Sequence, residues 1–309
     1  MSRLHLVNLD DWTPEEVTTL VAEAEAVKSN PYEYAESLKG QSLLMLFEKP
    51  SLRTRVSFEV GMTQLGGHAI YYPIEGSPLG KKESIEDFAR VTSRMVDGVI
   101  ARLFEHSTME ALAEHSTIPV INALTNHTHP CQILSDLLTL KESKGELEGL
   151  TLAYVGDAFN NVTHSLMFGL PLAGVNVRVG CPEGAETSPA PAVVAKANEI
   201  AARTGTTVTV THDAAEAVDG ADAVYADSWM SYHIPKEQEE ARKALFMPYQ
   251  VNAELMKKAA PDAIFMNCLP AMRGYEQTAE VIDGPQSVVF PQAENRLHMQ
   301  KALMIRLMG

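Results

Sequence analysis

The strongest constraint on this sequence is an alternation: short aliphatic and β-branched runs of four or five residues recur between longer amphipathic stretches. Runs at 43–47, 68–72, 98–101 and 119–122 read as strands, and a second set at 152–155, 175–179, 207–211, 223–226 and 263–266 follows the glycine-bounded segment 145–149. Strands that alternate with helices run parallel, because a crossover long enough to hold a helix returns the chain to the same end of the sheet. We therefore expect an α/β fold of two doubly wound parallel-sheet domains, each with helices on both faces. A length of 309 residues agrees, since chains of this size usually divide into domains of roughly 100 to 200 residues.

Local signals sharpen the outline. Thr13-Pro14-Glu15-Glu16 places an N-cap residue before Pro at the first helical position and Glu at the third, predicting a helix that runs to about Ser29. The Ala-rich stretch 189–202 predicts an exposed helix, and 294–308 a closing one. Segment 231–249 is polar and has no clear period, which predicts a long loop of the functional or mobile kind.

Composition excludes several classes of function. No apolar run approaches the ~18 residues of a spanning helix, so no membrane partner is expected. The residues after Met1 form neither a secretory signal nor an Arg-rich transit peptide, so the expected location is the cytoplasm. Cys131, Cys181 and Cys268 are an odd count without metal spacing, which supports neither a disulfide framework nor a metal site. A net charge of -15 repels polyanions and argues against nucleic acid; an anionic ligand must find a local positive site.

In open α/β sheets ligands sit outside the carboxyl ends of the strands, so the residues just past each run matter most. After 43–47 comes Ser51-Leu52-Arg53-Thr54-Arg55, opening a helix with hydroxyls, free backbone N–H groups and two guanidinium groups, the chemistry that grips a phosphate. Arg102 follows 98–101, and His129-Pro130-Cys131-Gln132 follows 119–122. The second set adds Asn160-Asn161, Asp227 and Cys268. Taken singly, each has a plainer reading: a capped helix with solvated arginines, a surface Arg102, a loop histidine, cysteines as small buried hydrophobes. Their joint placement at strand ends favours one shared crevice, with Arg53 and Arg102 facing solvent rather than a core.

Phe47-Glu48-Lys49-Pro50-Ser51-Leu52-Arg53-Thr54-Arg55, His129-Pro130-Cys131-Gln132 and Cys268-Leu269-Pro270 together resemble the signatures of the carbamoyltransferases. The resemblance continues, in family order, through Val155-Gly156-Asp157, Asn160-Asn161, Asp227-Ser228-Trp229, the segment 273–284 and Ala293-Glu294-Asn295-Arg296. Cys268, the double Asn and the Asp-x-Trp-x-Ser loop at 227–231 are similar to the ornithine branch, where the aspartate branch has His-Pro-Leu-Pro. Four residues depart from the ornithine pattern: Pro78 stands for Gln, Asn267 for His, and Tyr232-His233 for Met-Gly.

The resemblance implies two domains with the active site in the crevice between them: 1–145, joined by a C-terminal helix at 291–309, for carbamoyl phosphate, and 146–290 for the acceptor. It implies transfer of a carbamoyl group from carbamoyl phosphate to the side-chain amine of ornithine, giving citrulline and phosphate, with no cofactor and no metal. Ser51, the Leu52 backbone, Arg53, Thr54 and Arg296 would hold the phosphate, while Arg102, His129 and Thr54 would polarise the carbamoyl oxygen. Gln132 and the Leu269 carbonyl would hold the carbamoyl NH2. Asn161 would take the amino-acid end of the acceptor under a loop with Ser231 and Tyr232, while Asp227 and Cys268 orient the attacking amine. Cys268 is not expected to be a nucleophile, since the amine attacks directly and the residue before it is Asn267. A loop at 77–84 resembles the family's intersubunit contact, with Lys82 reaching a neighbour's phosphate, which implies a homotrimer or a multiple of trimers.

Two other readings remain open at this level. Another amine, such as putrescine, lysine or a modified ornithine, could be the acceptor, or the chain could be a non-catalytic binding paralogue. A Rossmann dehydrogenase is disfavoured, because 155–160 lacks the Gly-x-Gly-x-x-Gly turn.

Overall fold

A computed structural model of the chain describes residues 4–74, 82–230 and 235–309. It divides into two compact units, Met1–Leu138 with Glu294–Gly309, and Thr139–Ala293.

The first unit is built on four strands, β1 (Ser42–Phe47), β2 (His68–Pro73), β3 (Gly98–Arg102) and β4 (Val120–Leu124), in the order β2-β1-β3-β4. All pairs are parallel. β1, β3 and β4 are buried almost throughout, as continuous aliphatic runs must be when helices cover both faces. The chain leaves β1 toward one edge and β3 toward the other, so the sheet switches direction between these neighbours and opens a crevice at their carboxyl ends. Helix Leu52–Gln64 starts at one of those ends.

Helix Pro14–Ser29 begins as the sequence predicts, with the reciprocal Thr13 and Glu16 capping bonds and Pro14 in the first turn. It is tied to the closing helix Val289–Met308: Arg306 forms a two-pronged pair with Glu23 at 2.9 Å, and Lys28 donates to Asn295 at 2.8 Å.

The second unit holds five parallel strands, β5 (Thr151–Val155), β6 (Asn176–Gly180), β7 (Val208–Thr211), β8 (Ala223–Tyr225) and β9 (Ile264–Met266), ordered β7-β6-β5-β8-β9. Its switch falls between β5 and β8. Gly156 turns the chain out of β5 at φ +130°, and a Cβ there would lie 3.0 Å from the Trp229 indole nitrogen, so only glycine serves. The Ala-rich helix runs Pro191–Thr204 and is amphipathic rather than wholly exposed, burying Val193, Ala197, Ile200 and Ala201.

The expected long loop at 231–249 is corrected. Residues 236–249 fold as a short 3-10 turn, a helix Glu239–Phe246 and a second 3-10 turn. The period was invisible because the helix buries Phe246 alone and is otherwise fixed by polar contacts. Among the described residues no helix is long and apolar enough to cross a membrane.

Candidate active site

In the first unit the anion site is assembled from three strand ends and the closing helix. Ser51 caps helix Leu52–Gln64, its hydroxyl accepting from the Thr54 N–H at 3.3 Å and donating to the Thr54 hydroxyl at 3.1 Å. The first-turn N–H groups of that helix have no intrahelical acceptor and carry the positive end of its dipole. Arg296 reaches in from the closing helix, donating to Gln132 Oε1 at 2.7 Å and Thr54 Oγ1 at 3.5 Å. Gln132 donates in turn to Asp136 at 2.9 Å, so its amide is held in one orientation. Thr54, Gln132 and Arg296 are all at most 2% exposed.

His129 is buried, and burial followed by the charges of Arg296 and Arg102 keeps its pKa well below 6.5. At neutral pH it is an uncharged imidazole, able to donate a hydrogen bond without adding to the surrounding positive charge. The expectation that Arg102 faces solvent is corrected: it ends β3 and is 6% exposed. Arg53 is half-exposed, as expected, and Leu52 presents its side chain outward while its backbone starts the helix.

Arg55 leaves the site. It pairs with Glu59 at 3.0 Å and lies over the Tyr71 ring at 3.9 Å, so of the two guanidinium groups in the 51–55 segment only that of Arg53 is left available to an anion. Lys49 was given no role by sequence and belongs here. It is 6% exposed, donates to Asn126 at 2.7 Å and sits 4.1 Å over the Phe104 ring. Burial, then the neighbouring Arg102, pushes its pKa down to about 8. The signal was its place at the end of β1, where strand-end residues gather. Lys49, Arg102 and Arg296 thus give a strongly acidic chain a local cationic pocket.

In the second unit neighbouring strand ends meet. The Cys268 thiol donates to Asp227 Oδ1 at 3.2 Å, and the same oxygen accepts from the Ser228 N–H at 2.8 Å. Burial raises the Asp227 pKa. Asn160 spends its amide on structure, accepting from Thr163 N–H at 2.8 Å and donating to Tyr154 Oη at 2.9 Å. Asn161, the next residue, opens helix Asn161–Leu172 and is partly exposed. Arg242 joins the two loops at the switch point, pairing with Asp157 and donating to the Trp229 carbonyl at 2.8 Å. The sequence alone does not single it out, because the helix that carries it has no visible period.

After β9 the chain turns sharply, with Leu269 at φ 55°. Cys131, by contrast, is buried in the first unit with its thiol pushed up to about 12, which makes it packing rather than a reactive group. Lys82 is exposed, just before helix Ile85–Thr92. Pro78, Ser231, Tyr232 and His233 lie outside the described residues.

Glu276 lies near this turn, 1% exposed, accepting from Met272 N–H at 2.7 Å. Burial pushes its carboxyl from 4.5 to about 7. The folded protein therefore keeps a proton that the unfolded chain has released, and the stability this gives is lost as pH rises from 4.5 toward about 7. Glu276→Gln should remove that decline, worth on the order of 3 kcal/mol, and a flatter plot of Tm against pH would report it.

Two doubly wound units, one with a cationic pocket at a helix start, define a phosphate-handling protein of the α/β class. Comparison with known proteins narrows this. Residues 4–142 match the family model for the aspartate/ornithine carbamoyltransferase carbamoyl-P binding domain, and residues 148–307 match that for the Asp/Orn binding domain. The chain belongs to the aspartate/ornithine carbamoyltransferase family. It is 50% identical over 306 residues to ornithine carbamoyltransferase of Thermococcus kodakarensis, covering 97% of this chain and 95% of that protein. With the Symbiobacterium thermophilum ornithine carbamoyltransferase it shares 52% identity over 305 residues, covering 98% and 97%. The solved ornithine carbamoyltransferase of Pyrococcus furiosus has TM-score 0.94 at 46% identity, covering 99% of this chain and 97% of that one.

Proposed function

We propose that this protein is an ornithine carbamoyltransferase, moving the carbamoyl group of carbamoyl phosphate to the side-chain amine of L-ornithine with release of citrulline and phosphate. The observation that carries the acceptor choice is the Cys268 to Asp227 hydrogen bond, a thiol and a buried carboxylate that suit a distal amine. Relatives named for this activity, about half identical over nearly the whole chain, support it.

In this reading Ser51, the Leu52 N–H, Arg53, Thr54 and Arg296 hold the phosphate. Arg102, neutral His129 and Thr54 donate to the carbamoyl oxygen as it gains negative charge, which is where preorganised donors contribute most to rate. Gln132 and the Leu269 carbonyl hold the carbamoyl NH2. Asn161 binds the amino-acid end, together with Ser231 and Tyr232. The neutral amine, oriented by Asp227 and Cys268, forms the new C–N bond as the C–O bond to phosphate breaks; no covalent enzyme intermediate, cofactor or metal is required. We place the reaction in a reducing cytoplasm, consistent with three cysteines none of which is in a disulfide.

We also propose a homotrimer in which Lys82 serves a neighbour's site. An apolar stripe supports association: Leu52, Val56 and Val60 recur every four residues along one helix face at 73%, 47% and 38% exposure, and Ile70 on edge strand β2 is exposed as well.

The test is kcat/KM for ornithine, lysine, putrescine and shorter diamino acids at saturating carbamoyl phosphate. Ornithine is expected to lead by about tenfold or more. A competitor that leads ornithine by about tenfold overturns the acceptor assignment, and Tyr232→Met should then move preference back toward ornithine.

A further inference from the structure

Asn267 stands where the ornithine pattern leads one to expect histidine, and its surroundings show what the amide does. It follows β9 directly and is fully buried. Its backbone N–H donates to Gln292 Oε1 at 2.9 Å, and its side-chain Nδ2 donates to Gln277 Oε1 at 3.1 Å. Its Oδ1 accepts from the Leu269 N–H at 2.8 Å. Both partners are themselves anchored, Gln277 Nε2 to the Met272 carbonyl at 3.2 Å and Gln292 Nε2 to Tyr225 Oη at 3.2 Å.

Leu269 needs such a hold. At φ 55° it occupies the left-handed region, which a side chain with a Cβ enters only when its surroundings over-determine it. Its side chain packs against the core behind β8 and β9, and its N–H is taken by Asn267. Cys268 lies between these two fixed residues, so the same anchors set the direction of its thiol toward Asp227.

We propose that Asn267 is a positioning residue of the acceptor site: its amide holds Leu269 in the left-handed conformation and thereby aims the Cys268 thiol and the Leu269 carbonyl at the reacting groups. The proposal rests on the carbamoyltransferase reading of those two residues. It also explains the departure from histidine. A ring supplies one acceptor to Leu269 and one donor to Gln277 only while neutral and only as the Nε2–H tautomer, whereas an amide supplies both at every pH. With asparagine, the residue at this position does not titrate. The ionisable groups around it are Tyr225 and Asp227 from β8 and its loop, adjacent Cys268, and Glu276 from the following turn; all remain in the variants, so the test reads differences from wild type.

Wild type, Asn267→Ala, Asn267→His and Gln277→Met are compared by steady-state kinetics from about pH 5.5 to 9, with thermal unfolding of each. Asn267→Ala is expected to lower kcat about 100-fold while KM for carbamoyl phosphate changes little, because the phosphate groups lie in the other unit. Asn267→His should stay within about tenfold of wild type at high pH and fall more steeply than wild type on the acid side, at or below pH ~6.5. Gln277→Met, which removes one anchor, should lower kcat by about tenfold. A folded Asn267→Ala with wild-type kcat, or a folded Asn267→His with the wild-type pH profile, overturns the role. If neither folds, unchanged kcat in Gln277→Met does so. Should wild type carbamoylate no amine, the reading of the whole site fails and this role with it; an active wild type with an indifferent residue 267 sinks the positioning role alone.

Discussion

Arg53→Ala is expected to lower turnover by about 100-fold or more while leaving thermal unfolding where it is. The guanidinium is half-exposed in the first turn of a helix capped by Ser51, and no hydrogen bond or ion pair of its side chain is found among the described residues. Removing it takes nothing from the core and takes a charge from the phosphate. Arg102→Ala should lose turnover as severely but also lower Tm, since Arg102 is 6% exposed at the end of β3 and its removal takes packing from a buried position. Steady-state rates and melting curves for the pair separate the two behaviours. Near-normal turnover in Arg53→Ala would remove the proposed phosphate site.

Mixing two dead proteins should make a live one. Lys82→Ala and Arg53→Ala are each expected to be inactive, yet a mixed form of the proposed trimer would have one position where an intact Arg53 faces an intact Lys82 from the next copy. With free exchange at equal amounts, about three quarters of trimers are mixed and one site in three is whole in each, so about a quarter of wild-type activity should return. Lys82 is suited to such a reach, being exposed just ahead of a helix whose start is fixed by Ser84 accepting from Asp87 N–H at 3.1 Å. If exchange is verified by mass and no activity returns, each site is complete within one chain.

Much of this was legible in the sequence because parallel strands buried on both faces announce themselves as unbroken aliphatic runs. All nine expected runs form strands within a residue or two of their bounds, and the strand-end rule picks out Thr54 and Gln132, which both accept from Arg296, together with Arg102 and His129. What escaped depends on long-range partners. Arg53 and Arg55 are two apart, so a helix turns them to different faces, and the exposed face that takes Arg55 is defined by Tyr71 on β2. Lys49 reads as a solvated charge until Phe104 and Asn126 close over it. Helix Glu239–Phe246 has too little buried surface to leave a period, and Arg242 gains meaning only from Asp157, far away in sequence.

Arg296, which grips Gln132 and Thr54, arrives in the segment that closes the first unit, Glu294–Gly309, after every residue of the second unit. Translation therefore runs against the usual order in which the leading domain matures first. On the ribosome, the second unit has its whole sheet available while the first still lacks its closing helix and the cation that orders Gln132 and Thr54. The proposed phosphate pocket is thus completed only after the second unit has been made, and a nascent chain holds no finished grip on a phosphate until Arg296 has emerged.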